Sequence, residues 1–297
     1  DKGQTWILVK AVEWIMQRDG KLPINVKFLI EGEEESGGET IAQYVSEKPA
    51  QLAADAVVIC DSEMFAEGMP TICTGLRGIV YGELHVQGAR QDLHSGVYGG
   101  AAPNPIMAIA ELLCALKDRD GHIQIPGFYD CVLPPAPAEK EAWASLPFDE
   151  QAYLEKEVGS VALTGEPGFS VFDRTWARPT LEVHGIRGGF TGEGAKTVIP
   201  ARAVAKLSLR LVADMRPDEA VAQLQAAIKT VTPRGVTAEF KLLHGAGPSL
   251  VDPDNAFIRE SALAMEEVFG RKTVYMRSGG SIPIVGLFQT HMAIPSV

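Results

Sequence analysis

The chain has 297 residues, of which 46% are apolar and 22% charged, and its formal net charge is −11 at pH 7. This composition suits a globular protein with a sizeable core, and the length allows two domains. The excess of acid argues against non-specific binding to nucleic acid or to an anionic membrane surface. The four cysteines have neither paired nor zinc-finger spacing, which predicts reduced thiols in a cytoplasmic protein.

The first sixty residues have the pattern of an α/β domain. Residues 5–18 are apolar almost all round, which predicts a helix buried against a sheet. Residues 26–30 and 56–60 are short β-branched and apolar blocks, and they predict two strands. Helices that alternate with strands are typical of a parallel sheet.

Acidic side chains follow both of these predicted strands. A run of five glutamates extends from Glu31 to Glu39 after the first strand, and Asp61 ends the second. Open α/β sheets place ligands at the carboxyl ends of their strands, where crowded acids favour a bound cation. Because Glu34 and Glu35 point in opposite directions in extended backbone, one can bind metal while the other holds a water. A solvated acidic surface is the alternative interpretation.

The character of the chain changes near residues 74–75. An Asn-Pro pair at 104–105 opens a helix, as N-cap and first helical residue. Residues 126–179 are rich in Pro, Gly and acids and predict an irregular insertion. The remaining pattern predicts an α+β sandwich whose sheet is covered on one face by two helices. Its predicted strands are 79–86, 180–186, 203–212 and 236–243, and its predicted helices are 105–117 and 217–230.

The α/β character returns from residue 248. A helix is predicted over 255–269 and a strand over 273–276.

Two polar loops and one arginine are further candidates for function. Residues 91–100 form a Gly-rich loop with a single histidine, and residues 277–281 follow a predicted strand as a turn or an anion-binding loop. Arg210 lies on the polar face of a strictly alternating strand. Each of these also has a plain structural interpretation as a turn or a paired side chain. Motifs of phosphate loops and of serine or cysteine nucleophiles are absent from the sequence.

Five segments together carry a resemblance to a known family. They are EGEEESGG, ICDSE, QDLHSGVYGG, GAKTVIPARAVAKLSLRLV and RSGGSIP, in this order. They resemble the M20 metallopeptidases, and within them the branch of carnosinases and cytosolic nonspecific dipeptidases. The similarity runs over residues 1–296, which is almost the whole chain.

The resemblance implies an α/β, zinc-peptidase-like catalytic domain with an inserted α+β sandwich that serves as lid and dimerisation domain. The catalytic domain would comprise residues 1–75 and 248–297, and the lid residues 76–247. It also implies a metal-dependent dipeptidase that binds two divalent metal ions, with zinc expected and manganese as the alternative. The expected partners are a dipeptide substrate and a second copy of the chain.

The resemblance also implies roles for particular residues. Glu34 matches the general base, and Glu35 and Asp61 match ligands of the two metal ions. His94 matches a histidine that reaches into the partner subunit's active site and stabilises the oxyanion. The groups that match substrate-binding residues are Thr197, Arg210, His244, Gly280 and Ser281.

The chain departs from the family pattern in its metal ligands. The family uses five ligand residues, and only two of them match positions in this chain. The others are expected just before Asp1, further upstream, and beyond Val297; His291 is too close to the GGSIP segment to be one of them. Two alternatives to a dipeptidase therefore stay open: an N-acyl amino-acid amidohydrolase of a neighbouring branch, and an inactive fragment that only dimerises.

Overall fold

The computed structural model describes residues 2–34 and 38–297. The chain divides into two compact units. The split unit comprises Asp1–Gly75, Leu250–Arg277 and Ile282–Val297, and the central unit comprises Leu76–Ser249 and Ser278–Ser281.

Strands and helices are numbered in chain order. The strands are β1 (Thr71–Leu76), β2 (Gly78–Gln87), β3 (Leu93–His94), β4 (Thr180–Gly188), β5 (Val198–Ile199), β6 (Arg202–Leu211), β7 (Thr237–Ala246), β8 (Ser249–Leu250) and β9 (Val274–Ser278). The helices are α1 (Lys2–Asp19), α2 (Glu39–Glu47), α3 (Pro49–Leu52), α4 (Ser95–Tyr98), α5 (Pro105–Leu116), α6 (Pro137–Ala144), α7 (Glu150–Ala152), α8 (Pro217–Val231), α9 (Ala256–Phe269) and α10 (Pro283–Met292). Within the described ranges, no helix is both long and apolar enough to cross a membrane.

The central unit is built on an antiparallel sheet with the strand order β4-β6-β2-β7. Helices α5 and α8 pack on one face of it and contact each other. The main core lies between these helices and the sheet, with side chains such as Leu84, Ile109, Leu112, Leu207 and Leu224 fully buried. The predicted α+β sandwich is thus confirmed, and its four long strands differ from the predicted ones only at their ends.

Local sequence signals explain two of these elements. Asn104 caps α5, because its Oδ1 accepts a hydrogen bond from the N–H of Ile106 at 3.0 Å. In β6 the predicted alternation holds: Leu207 and Leu209 are buried against the helices, whereas Lys206 and Arg210 lie on the other face. That other face, turned away from α5 and α8, is called the polar face below.

Two predicted loops contain more regular structure than expected. The Gly-rich loop 91–100 forms β3 and the single turn α4. The segment 126–179 contains α6, α7 and two π-helical turns at Tyr153–Val158 and Asp173–Ala177. The turns fold because aromatic side chains cluster within this segment: the rings of Phe172 and Trp176 stack at 4.2 Å.

The split unit contains the sheet β8-β1-β9 and the helices α1, α2, α9 and α10. The predicted strand at 26–30 is wrong: this segment is irregular and its side chains are exposed, because no other described segment pairs with it. The predicted strand at 56–60 is reduced to a bridge, in which Val57 pairs in parallel with Ser296. The expected helix at the start is confirmed as α1, but its predicted burial is not, since none of its residues is buried by the described chain.

Candidate functional site

One group of sequence-predicted residues meets in the central unit around Arg210. The Nη1 of Arg210 donates a hydrogen bond to Ser281 Oγ at 2.8 Å, and Ser281 Oγ donates to the carbonyl of Arg77 at 2.6 Å. The carbonyl of Gly280 accepts from the N–H of Arg77 at 3.1 Å. The RSGGSIP segment and the alternating strand β6, which are about 70 residues apart in the sequence, are therefore joined directly.

The strand register places His244 on the same polar face as Arg210. Arg210 lies opposite Ile79 of β2, and Tyr81, two residues on, lies opposite His244 of β7. Directly paired residues of an antiparallel sheet share a face, as do residues two apart in one strand. His244 is further fixed by its ring, which stacks on that of Tyr81 with centroids 5.2 Å apart.

A second histidine stacks on the other side of the same tyrosine. The ring of His184 lies 5.2 Å from that of Tyr81, and His184 Nε2 is 2.8 Å from Ser208 Oγ. Ser208 is only 3% exposed although it belongs to the polar face. Sequence analysis missed this stack, because its members lie on three different strands and none has a distinctive spacing.

Arg210 has open hydrogen-bonding capacity. It is half-buried, and burial lowers the pKa of its guanidinium below the ordinary value. Within residues 2–34 and 38–297, no carboxylate oxygen lies within 4.0 Å of Arg210, and Ser281 accepts its one hydrogen bond to the protein. A guanidinium with free N–H groups suits a planar anion such as a carboxylate, which it binds with two parallel hydrogen bonds.

His94 and Thr197 form a second group in the central unit. Strand β3 pairs with β5, so that His94 lies opposite Val198 and the N–H of Ser95 donates to the Thr197 carbonyl at 3.0 Å. His94 Nδ1 accepts from the N–H of Gly96 at 3.0 Å. A neutral imidazole whose Nδ1 accepts carries its proton on Nε2, which lies 3.1 Å from Thr197 Oγ1. The exposed imidazole thus presents Nε2–H as a donor, which Thr197 Oγ1 accepts in this structure.

Gly96 permits this arrangement. A Cβ at position 96 would lie 2.9 Å from Cε1 of the His94 ring, which is closer than real side chains approach. A side chain at position 96 would therefore force the imidazole out of this position. The sequence showed this loop as Gly-rich, but only the fold explains the position of this glycine.

The predicted metal-binding residues belong to the split unit. Glu34 and Asp61 are exposed, Glu34 just before α2 and Asp61 after the segment that bridges to Ser296. Glu35 lies outside the described residues. In the part of the chain that the structure describes, no three His, Cys, Asp or Glu side chains are grouped so that they could hold a metal ion. Carboxylate oxygens are suitable ligands for divalent cations, but the described residues do not complete a metal site.

Comparison with known proteins shows relatives along the whole chain. The Cys-Gly metallodipeptidase DUG1 of Candida albicans is 30% identical over 307 residues, which cover 99% of this chain and 61% of that protein. The human Beta-Ala-His dipeptidase is 30% identical over 97% of this chain and 58% of its own length. The M20 family metallo-carboxypeptidase Sso-CP2 from Sulfolobus solfataricus has a solved structure that matches with a TM-score of 0.83 and 27% identity, over 96% of this chain and 64% of that one.

The chain thus spans about three fifths of the length of these relatives. The family model of the peptidase dimerisation domain, M20_dimer, matches residues 74–236, which is more than half of the chain. This range contains β2, β4, β6, α5 and α8, and so most of the central unit. The chain therefore belongs to the M20 family of peptidases.

Proposed function

We propose that the chain is part of a metal-dependent dipeptidase and that Arg210 binds the terminal carboxylate of the substrate. The observation that carries the proposal is the half-buried guanidinium of Arg210, which is held by Ser281 and has no carboxylate partner among the described residues. His244 on the same sheet face adds a polar group near this position. A substrate carboxylate would supply the missing counter-charge with a charge-assisted, two-pronged hydrogen bond.

In the proposed reaction, each residue acts on one part of the peptide. The carboxylate of Glu34 accepts a proton from the attacking water and then delivers it to the leaving amine. The Nε2–H of His94, from the partner subunit, donates to the carbonyl oxygen as negative charge develops there. Thr197, Gly280 and Ser281 complete the groups proposed to hold the substrate. Divalent metal ions, when bound, polarise the carbonyl and lower the pKa of water.

The proposal includes the metal ligands, the domains and the assembly. We propose Glu35 and Asp61 as ligands, with zinc expected in a dinuclear site and manganese as the alternative. The catalytic portion would be residues 1–75 and 248–297, and the lid residues 76–247. The match to a peptidase dimerisation domain supports a homodimer through this lid. A cytoplasmic location stays a prediction.

A substrate panel tests the reaction type. Cys-Gly and β-Ala-His are the first dipeptides to assay, because relatives are named for them. The matched compounds are the same dipeptides as C-terminal amides, tripeptides that end in the same residue, and N-acyl amino acids. Zinc-dependent hydrolysis of the free dipeptides alone supports the proposal, since only they combine a short length with both a free amino group and a free carboxylate.

Other results of the panel lead to other conclusions. Preference for N-acyl amino acids would indicate the amidohydrolase, and equal cleavage of tripeptides would indicate a carboxypeptidase. No turnover in the presence of zinc or manganese would indicate a chain that dimerises without activity. Equal cleavage of amides and free dipeptides would contradict the role of Arg210.

The role of Glu34 has its own test. Glu34→Gln removes the proton-accepting carboxylate but keeps the size of the side chain, so kcat should fall by about 10²–10⁴. Metal content per chain, measured by mass spectrometry, should not change, because Glu34 is not a proposed ligand. Glu39→Gln, in the same acidic run, is the matched control and should retain activity. Substantial turnover by Glu34→Gln would exclude Glu34 as the base.

A further inference from the structure

Arg77, which directly precedes β2, binds the segment that carries Ser281. Its main-chain N–H donates to Gly280 O and its Nε donates to Gly279 O, both at 3.1 Å. Its carbonyl accepts from Ser281 Oγ at 2.6 Å. One arginine therefore makes three hydrogen bonds with residues 278–281, which are called the serine loop below.

Gly279 packs directly on the side chain of Arg77. A Cβ at position 279 would lie 2.8 Å from Arg77 Nη2 and 2.8 Å from the carbonyl oxygen of Thr175. Either distance is shorter than a side chain tolerates, so only glycine allows the loop to approach this closely. The Arg77 guanidinium therefore lies directly against the loop at Gly279.

The guanidinium of Arg77 and the residue that follows it also contact other parts of the central unit. Its Nη1 lies 3.4 Å from the carbonyl oxygens of both Arg174 and Arg178, at the end of the irregular segment. The next residue, Gly78, is confined by β7, because a Cβ there would lie 2.6 Å from Ala246 O. Arg77 thus connects the serine loop to the segment before β4 through the carbonyls of Arg174 and Arg178. It connects the loop to the sheet through the backbone at Gly78, which packs against β7.

The charge of Arg77 adds to that of Arg210. Burial, followed by repulsion from Arg210, lowers the pKa of Arg77 to about 10, and the acid Glu182 only partly opposes this effect. Like Arg210, Arg77 has no carboxylate oxygen within 4.0 Å in the described chain. Both guanidinia remain charged at neutral pH, so the serine loop lies in a region of positive potential that favours an anion.

We propose that Arg77 is a positioning residue for carboxylate binding: it fixes the serine loop so that Ser281 holds the Arg210 guanidinium in the orientation that receives the carboxylate. Its Nε–H and Nη1–H groups are directed to backbone carbonyls, and its proposed effect on the carboxylate passes through Ser281 and Arg210. The inference rests on the proposed function only for the identity of the substrate. The binding of a carboxylate does not depend on the proposed reaction.

A binding measurement tests this inference without any need for turnover. N-acetylglycine carries the carboxylate, and N-acetylglycinamide is the same compound without it. Binding of each is followed by NMR through the Arg210 Nε–H and the backbone N–H of Ser281, in the full chain with zinc present. We expect N-acetylglycine to bind and the amide to produce no shift at these two groups.

Four variants separate the role of Arg77 from a general loss of stability. Arg77→Met should raise the Kd of N-acetylglycine about tenfold, the equivalent of one hydrogen bond to a charged group. Arg77→Lys keeps the charge but not the planar fork, and it should give a smaller increase. Gly279→Ala keeps the Arg77 residue but places a Cβ against its guanidinium and the Thr175 carbonyl, so it should displace the loop and also weaken binding. Arg174→Met is the matched control, because Arg174 likewise donates to backbone carbonyls but does not contact the loop.

The results distinguish the inference from the proposed function. A Kd for Arg77→Met within twofold of wild type, or failure of the wild-type chain to bind N-acetylglycine, overturns the inference. A Kd in Arg174→Met that rises as much as in Arg77→Met also overturns it, since the effect would then be one of general stability. Binding that depends on Arg77, in a protein that hydrolyses no dipeptide, supports the inference and contradicts the proposed function.

If dipeptides are hydrolysed, steady-state kinetics give a second test of the positioning role of Arg77. Arg77→Met should raise KM for a free dipeptide by about tenfold while kcat changes little, because the terminal carboxylate keeps its charge throughout the reaction and contributes equally to ground-state and transition-state binding. Any residual hydrolysis of the dipeptide amide should be unaffected. An equal loss of kcat for both substrates would contradict a positioning role.

Discussion

Glu166 is a buried carboxylate that ties the irregular segment to the rest of the central unit. Its two oxygens accept from Arg178 Nε and Nη2, both at 2.6 Å, and Oε1 also lies 2.6 Å from His122 Nδ1. The ring of Tyr129 lies between the His122 ring, at 4.3 Å, and the Arg178 guanidinium, at 4.7 Å. Burial raises the pKa of Tyr129 to about 12, so this ring stays neutral over the physiological range.

At the scale of this residue, we expect Glu166→Gln to lower the free energy of unfolding by about 2–4 kcal/mol. The reason is that the substitution leaves the half-buried Arg178 guanidinium without its counter-charge. Glu141→Gln, an exposed glutamate of the same segment, is the control and should change stability little. Urea denaturation at neutral pH measures both. An unchanged midpoint for Glu166→Gln would show that the ion pair is not a net stabiliser.

The same carboxylate predicts a pH dependence of stability. Burial alone would raise the pKa of Glu166, but the hydrogen bonds from Arg178 and His122 outweigh it and hold the pKa below its ordinary value of 4.5. A lowered carboxyl pKa contributes stability above the ordinary value, and this contribution is lost as the pH falls through the folded-state pKa. The stability difference between wild type and Glu166→Gln should therefore shrink below about pH 4. A difference that stays constant into acid would contradict the assignment.

At the scale of the element, Gly82 determines how β2 meets β7. A Cβ at this position would lie 2.4 Å from Lys241 O and 2.4 Å from Phe240 Cζ. The pairing shifts by one residue next to it, between Tyr81 and Gly82, and this shift sets the register that places His244 opposite Tyr81. The Lys241 carbonyl and the Phe240 ring approach Gly82 so closely that any side chain at position 82 must displace them.

We therefore expect Gly82→Ala to destabilise the central unit by about 1–3 kcal/mol, through overpacking against β7. Gly185→Ala, at the irregularity in β4, is the matched control, because a Cβ there meets nothing within 4 Å. Thermal unfolding of both variants makes the comparison. Equal stability of the two would mean that β7 moves away from Gly82 at little cost.

At the scale of the whole molecule, the prediction concerns two chains. If His94 acts in the partner subunit, His94→Ala and Glu34→Gln should each be inactive alone and should complement each other when mixed. Random exchange should restore about a quarter of wild-type activity, because half of the dimers are mixed and each has one complete site. A mixture that stays inactive although co-purification of one tagged variant with the other shows exchanged dimers would place His94 in its own subunit's site. A monomer by sedimentation would contradict the partner role altogether.

Elements with local signals could be predicted from the order of the residues. Strand β6 follows from its alternation of apolar and polar residues, and helix α5 from its Asn-Pro start, because a strand's faces and a helix cap are decided within a few neighbouring residues. The resemblance of five segments to one family was also readable from the chain alone, and the match over residues 74–236 confirms it.

Which of these elements meet depends on long-range packing. A block of β-branched residues such as 26–30 becomes a strand only where another segment pairs with it, and no local pattern specifies that partner. Sheet register and close approaches at glycine determine three features of the site. These are the contact of Arg210 with Ser281, the burial of Ser208 and the hydrogen bonds of Arg77 to the serine loop. These are long-range properties of packing, so residue types and spacing along the chain do not reveal them.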